Sequence, residues 1–106
     1  MKMINLAKFQ TPGSVVFSGR PRGIDIRKTL DLDAVDRSEE QVEVIIPPEV
    51  VSVNSSFFLG LFGKSVRALQ RGGFMEKYKF SGSAAAMENI ERGIDEALVY
   101  SNPLAA

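Results

Sequence analysis

Apolar residues recur along this chain at more than one period, and each period predicts a different element. Ile4, Leu6 and Phe9 predict a first short strand, closed by the turn-forming Thr11-Pro12-Gly13. Val15-Val16-Phe17 predicts a second strand, ended by Gly19. Arg20-Pro21-Arg22-Gly23 then reads as a loop, because Pro and Gly interrupt both ladders and helices. From Ile24 the spacing becomes helical, with Ile26 and Leu30 on one side and Leu32 and Val35 extending it as far as the polar run Asp36-Arg37-Ser38-Glu39-Glu40-Gln41. Val42-Glu43-Val44-Ile45-Ile46 alternates and then turns wholly apolar, as a central strand covered on both faces does. Pro47-Pro48 lacks two ladder donors and ends that strand; Val50, Val51 and Val53 form a further extended piece.

The longest predicted helix covers 55–71. Asn54 or Ser55 supplies its cap oxygen, and Phe58, Phe62, Val66 and Leu69 recur at helical spacing. Gly72-Gly73 is expected to stop it, since glycine takes the left-handed conformation cheaply. A strand over 74–80, with Tyr78 and Phe80 on one side, closes at Ser81-Gly82. A last helix over 83–100 turns Met87, Ile90, Ile94, Ala97 and Leu98 inward, with Asn102-Pro103 as its stop. Helices alternating with strands after an initial strand pair predict an α/β fold, a small sandwich with helices packed on a mixed sheet.

Composition narrows the chemistry more than the fold. The chain has 106 residues, the size of one domain, and no tract divides it, so 1–106 is expected to be a single unit. It contains no His and no Cys, which excludes imidazole general bases, Cys-His and Ser-His-Asp nucleophiles, disulfides and zinc sites of His or thiolate ligands. Lys8 interrupts the first residues, unlike a signal peptide. The apolar run 57–62 is far shorter than the roughly 20 residues that span a bilayer. A cytoplasmic location, with no membrane partner, is the expectation. Thirteen basic residues balance thirteen acidic ones, which argues against a domain held on nucleic acid by bulk charge. The charge is nevertheless segregated: residues 1–28 hold six basic and one acidic group, whereas 31–49 hold seven acidic and one basic. A bipolar surface of this kind favours oriented association with a protein.

The segment Val53-Asn54-Ser55-Ser56-Phe57-Phe58-Leu59-Gly60-Leu61-Phe62-Gly63-Lys64 concentrates the functional signal. A strand delivers two serines to the start of a helix, where free N–H groups and the positive end of the helix dipole favour an anion. A phosphate on Ser55 or Ser56 would therefore be well received and would change the local charge by nearly two units. The alternative reading of the two serines is an ordinary helix cap. Phe57, Phe58, Leu59, Leu61 and Phe62 exceed the stripe that a one-sided helix needs, so some face a second buried side or a partner. Gly60 and Gly63 weaken the helix, and close approach of another backbone is the usual compensation.

These residues resemble the switch region of STAS domains, the fold of bacterial anti-sigma factor antagonists. Similarity is greater to a small bacterial STAS-like family of unknown function. Ile4-Asn5-Leu6-Ala7-Lys8 with Thr11-Pro12-Gly13, and Ser55-Ser56-Phe57 with Phe62-Gly63, stand in that family's order and spacing. The likeness spans about residues 3–80. It implies an α/β sandwich without cofactor or catalytic activity that binds a protein partner, kinase-like or regulatory. It also implies that Ser56, with Ser55 beside it, is the phosphorylatable serine, and that Asn54 occupies the place of an aspartate. Phe57 stands where the antagonists have glycine. Asn54, Ser55, Ser56, Phe57, Phe58 and Lys64 are accordingly the expected regulatory and partner-binding residues.

Rival readings rest on other residues. Arg20, Arg22, Arg27, Lys28 and Arg67 could form a basic strip near Lys64, with Phe17 and Tyr78 stacking the bases of a weakly bound nucleic acid. An inhibitory interaction protein, phage- or host-encoded, would use the Phe-rich helix without phosphorylation. Gly60-Leu61-Phe62-Gly63-Lys64-Ser65 ends like a phosphate-binding loop, but Phe58 occupies the position of the required first glycine. Asp31, Asp33 and Asp36, and likewise Glu88, Glu91 and Asp95, fall mostly on outward helix faces and are expected to be solvated, so an enzyme is not expected.

Overall fold

A computed structural model describes residues 2–100. Strand β1 (Lys2–Asn5) ends where the Asn5 side chain accepts the Ala7 amide at 3.0 Å and turns the chain into a 3-10 turn, Leu6–Phe9. The first strand is therefore shorter than the apolar spacing suggests, and Leu6 is buried from the turn. β2 (Val16–Phe17) does not pair with β1. Its parallel partner is β4 (Ser52–Val53), with Val16 opposite Ser52 and Phe17 opposite Val53. The main sheet has the order β1-β3-β5, with β3 (Val42–Ile45) central and β5 (Tyr78–Ser81) on its far side. Ladders in both sheets are parallel, not mixed, which is the pairing that helical crossovers allow.

The register explains which sheet face is inside. Ile4, Val44 and Phe80 are opposite one another, as are Lys2, Val42 and Tyr78; Ile4, Val42, Val44 and Tyr78 are buried beneath the helices. Met3, Glu43 and Lys79 occupy the other face, where Met3 is 61% exposed and Glu43 and Ile45 are half-buried. β3 is thus central in the sheet yet covered on one face, so the expected double cover is absent.

Helix α1 (Arg20–Leu30) begins where a loop is expected. Gly19 precedes it at φ 93°, and Pro21 falls in the first turn, where its missing N–H removes no helical bond. Asp31, at φ 51° and ψ 54°, breaks what reads as one helix, and α2 (Leu32–Arg37) follows in a new direction. Helix α3 (Ser55–Lys77) lies between α1 and α4 (Ala84–Tyr100), and it consists of two helical segments joined at a kink: the first ends close to the expected 71, and a second, carrying Gly72-Gly73, continues to Lys77. Its interruption is at Gln70, φ 63° and ψ 170°, whose side-chain amide donates to the Arg67 carbonyl at 2.7 Å. Left-handed backbone at a residue with a Cβ is strained. Burial of Phe74 offsets that strain. Its ring is sealed from solvent, stacked on Tyr78 at 4.9 Å between centroids and in edge contact with Phe62 at 5.7 Å. Residues 74–77, expected as strand, are therefore helical.

The core is aromatic at one end and aliphatic at the other. Phe62 touches Phe58, Tyr78 and Phe80 at 5.3–5.6 Å. Ala86, Ile90, Ile94 and Ala97 bury one side of α4, with Met87 and Leu98 half-buried beside them. The Ser83 hydroxyl caps α4 by accepting the Ala86 amide at 3.1 Å, and Asn89 accepts the Val53 amide at 2.8 Å, pinning α4 to β4. The expected stop at Asn102-Pro103 lies outside the described residues. Among the described residues no helix is long and apolar enough to cross a membrane.

Candidate functional site

The chain passes from β4 into α3 through Asn54. Its amide donates to the Phe17 carbonyl at 2.8 Å, its side-chain oxygen accepts the Ser56 amide at 2.8 Å, and its carbonyl accepts the Phe58 amide at 3.0 Å. Asn54 is therefore the cap, so neither serine hydroxyl is needed for that purpose. Ser55 is half-buried and Ser56 is exposed in the first turn. Phe57 and Phe58, expected to face a partner, are each 1% exposed and belong to the core. Phe57 stacks on Phe17 at 5.0 Å and Phe58 packs against Phe62. The excess of apolar residues on α3 is explained by the helix being sandwiched between α1 and α4, so that both flanks are covered.

Glycines set how closely those helices approach. A Cβ at Gly23 would lie 2.8 Å from the Leu61 amide nitrogen and closer still to the Phe57 carbonyl oxygen. A Cβ at Gly60 would meet the Arg20 carbonyl oxygen in the same way. α1 and α3 thus touch backbone to backbone, and the groove beside their crossing holds about 400 Å³. Arg20, Arg27, Lys28, Lys64 and Arg67 line it with positive charge and Asp31 and Asp33 with negative, while Ile24 and Leu59 supply apolar surface over the buried Leu32. Ser56 is one turn ahead of Gly60, and Lys64 one turn beyond, so the three share a stripe of α3. Gly63 leaves room for the Arg67 guanidinium, since a Cβ there would stand 3.3 Å from Nη1.

Two members of the expected basic strip are committed elsewhere. Arg22 donates to the Phe9 carbonyl, tying α1 to the 3-10 turn. Arg27 is 7% exposed and forms the hub of an internal cluster. It donates to the Leu61 carbonyl at 3.0 Å, to the Ser65 hydroxyl at 2.8 Å, to Asp33 at 2.7 Å and to Asp36 at 2.9 Å. Ser65 in turn donates to Asp36 at 2.6 Å, and the Tyr78 hydroxyl donates to the other Asp36 oxygen. Asp36, expected in solvent, therefore faces inward. The sequence does carry a signal for this, a lone Ser65 within the apolar part of α3, but no local rule connects it to Arg27 and Asp36. Phe17 and Tyr78, the residues offered as base-stacking platforms, are both buried.

The cluster also sets two titrations. The hydrogen bond and charge of Arg27 hold the exposed Asp33 carboxyl below its ordinary range, with smaller help from Lys64 and Arg37. That contribution is present above the unfolded carboxylate range and is lost as pH falls through the depressed folded value. Burial, then the hydrogen bond and charge of Asp36, push the Tyr78 hydroxyl well above the usual phenol range. Its contribution is complete below about pH 10 and declines as the unfolded phenol ionises while the folded one keeps its proton. Urea unfolding from pH 8 to 11 should therefore show an alkaline loss of stability that Tyr78→Phe reduces. At pH 7 the same variant should cost about 1–3 kcal/mol, because Asp36 loses a donor.

Comparison of the chain with protein-family models, with curated proteins and with solved structures returned no match.

Proposed function

We propose that this chain is a non-catalytic protein-interaction module whose partner surface is the α1–α3 groove. The observation that carries the reading is the groove's mixed lining: five cationic residues against the carboxylates of Asp31 and Asp33, beside Ile24 and Leu59. Such a surface suits a partner segment that combines acidic groups with an apolar anchor, attraction guiding encounter and apolar burial providing retention. The internal Arg27 cluster supports the same reading. Arg27 and Asp33 border the groove, but the polar atoms of Arg27, Asp36, Ser65 and Tyr78 are paired with one another, as in a scaffold.

Ser56 offers a route for regulation of the kind the STAS resemblance implies. A phosphate there would sit one turn from the groove on the same stripe of α3 and compete with an acidic segment for its cations. Nucleic acid is the weaker alternative, because Arg22 is tied to Phe9 and the expected stacking rings are sealed in the core.

The test is capture from cells that produce the protein, followed by identification of what is retained. Lys28→Glu with Lys64→Glu should remove a specific protein partner. Lys79→Glu, which changes an exposed cation on the outer sheet face, should leave it bound. Ser56→Asp should weaken retention and Ser56→Ala should not. Identical capture by both charge variants would overturn the groove as the partner surface.

A further inference from the structure

We infer that the groove recognises a phosphate monoester carried on a flat apolar group, presented as a phosphorylated aromatic side chain of the partner. This inference rests on the groove being the partner surface, and it specifies what that surface reads.

The lining determines the charge of the ligand. Arg27 also borders the groove, but its guanidinium is committed to Asp33 and Asp36, so that trio brings one net negative charge. Arg20, Lys28, Lys64 and Arg67 then stand against Asp31 as the remaining carboxylate on the wall. Two net positive charges remain, of which a single carboxylate ligand would balance half, whereas a phosphate monoester supplies nearly two negative charges in one group. Arg20 and Arg67 add planar donor forks suited to phosphate oxygens, and the two lysines add point charges.

The floor determines what bears the phosphate. Ile24 is 38% exposed although it lies between cations, and Leu59 is half-buried beside it. Gly60 lets the α1 backbone approach α3 directly beside them, a Cβ there meeting the Arg20 carbonyl oxygen, so the two apolar side chains flank the closest point of the helix crossing. The resulting recess of about 400 Å³ is larger than a bare phosphate needs and within the range of pockets that enclose a small organic group. A flat ring can lie against Ile24 and Leu59 while its phosphate reaches the cations of the wall.

Titration calorimetry on the intact chain with phenyl phosphate, inorganic phosphate, O-phosphoserine and benzoate tests this without knowledge of the partner. Phenyl phosphate should bind roughly tenfold more tightly than each of the others. Lys28→Ala with Lys64→Ala should weaken it by at least about tenfold, and Ile24→Ser should weaken phenyl phosphate while leaving inorganic phosphate unchanged. All three substituted residues are exposed, and thermal unfolding of each variant is to be measured alongside as the check that it is folded. Equal affinity for phenyl phosphate and inorganic phosphate would overturn the inference, as would binding indifferent to these substitutions or no binding at all. If phenyl phosphate fails while capture of a partner still depends on Lys28 and Lys64, the phosphate specificity is wrong and the groove reading stands. If capture is also indifferent to those lysines, both are wrong.

Discussion

Asp36→Ala is expected to destabilise the protein by about 3–5 kcal/mol, measured as a lower urea midpoint at neutral pH. Asp36 is the acceptor on which four elements meet: Arg27 of α1, Ser65 of α3 and Tyr78 of β5 all donate to this residue of α2. Its side chain and that of Arg27 are each 8% exposed. Removing the carboxylate leaves a buried guanidinium with the exposed Asp33 as its remaining charge partner, and leaves two hydroxyl donors without their acceptor. A domain of this size has about 5–15 kcal/mol to lose, so the substitution removes a large fraction of the total. Replacing Arg27 by Met and Asp36 by Leu together should cost less than the sum of the two single changes, because neither charge is then stranded. Simple additivity would mean that the pair is energetically uncoupled and that the close contacts between them carry no stability.

Gly23→Ala and Gly60→Ala should each cost about 2–4 kcal/mol, despite alanine's advantage of about 1 kcal/mol within a helix. In both cases the obstructing atoms are backbone atoms of the facing helix, which cannot rotate away as a side chain can. The helices must separate, and separation pulls Phe57 and Leu61 from the positions in which they are sealed. Melting temperatures should fall by roughly 10–25 °C. Gly72 is the control: a Cβ there meets nothing within 4 Å, so Gly72→Ala should be neutral or slightly stabilising. If Gly23→Ala and Gly60→Ala behaved like Gly72→Ala, the close crossing of α1 and α3 would be refuted. The groove depends on that crossing, so these variants should also weaken phenyl phosphate binding under conditions where they remain folded.

Much of the architecture was legible because it follows local rules. The stripe Phe58, Phe62, Val66 and Leu69 marked α3, the alternation of Val42 and Val44 marked β3, and the inward positions of α4 followed its helical spacing. The Asn54 cap was one of the two residues expected to supply it. The misreadings arose where local signals met tertiary contacts. Pro21 and Gly23 look like loop residues, yet proline is harmless in a first turn and the glycine is there for the helix that crosses it. The helix does break close to Gly72-Gly73, at Gln70, yet a second helical segment with Phe74 buried follows where a strand is expected. Phe57 and Phe58 look like partner contacts because a single helix has no second side to bury them against.

Residue order alone therefore determined the α/β class, the positions of the main helices and the central strand, and the exclusion of imidazole and thiol chemistry. Those conclusions depend on periodicity and inventory, which neighbouring residues carry by themselves. Only the tertiary structure decided that β2 pairs with β4, that Arg27 and Asp36 face inward, and that Arg20, Lys28, Lys64 and Arg67 line one groove. β2 and β4, and the two helices that wall the groove, are distant in sequence, while Arg27 and Asp36 are brought together across the helix break at Asp31. The free energy that selects among these arrangements comes from burying backbone against backbone and charge against charge. Even for Arg27 and Asp36 the inward orientation depends on Ser65 and Tyr78, which lie far along the chain.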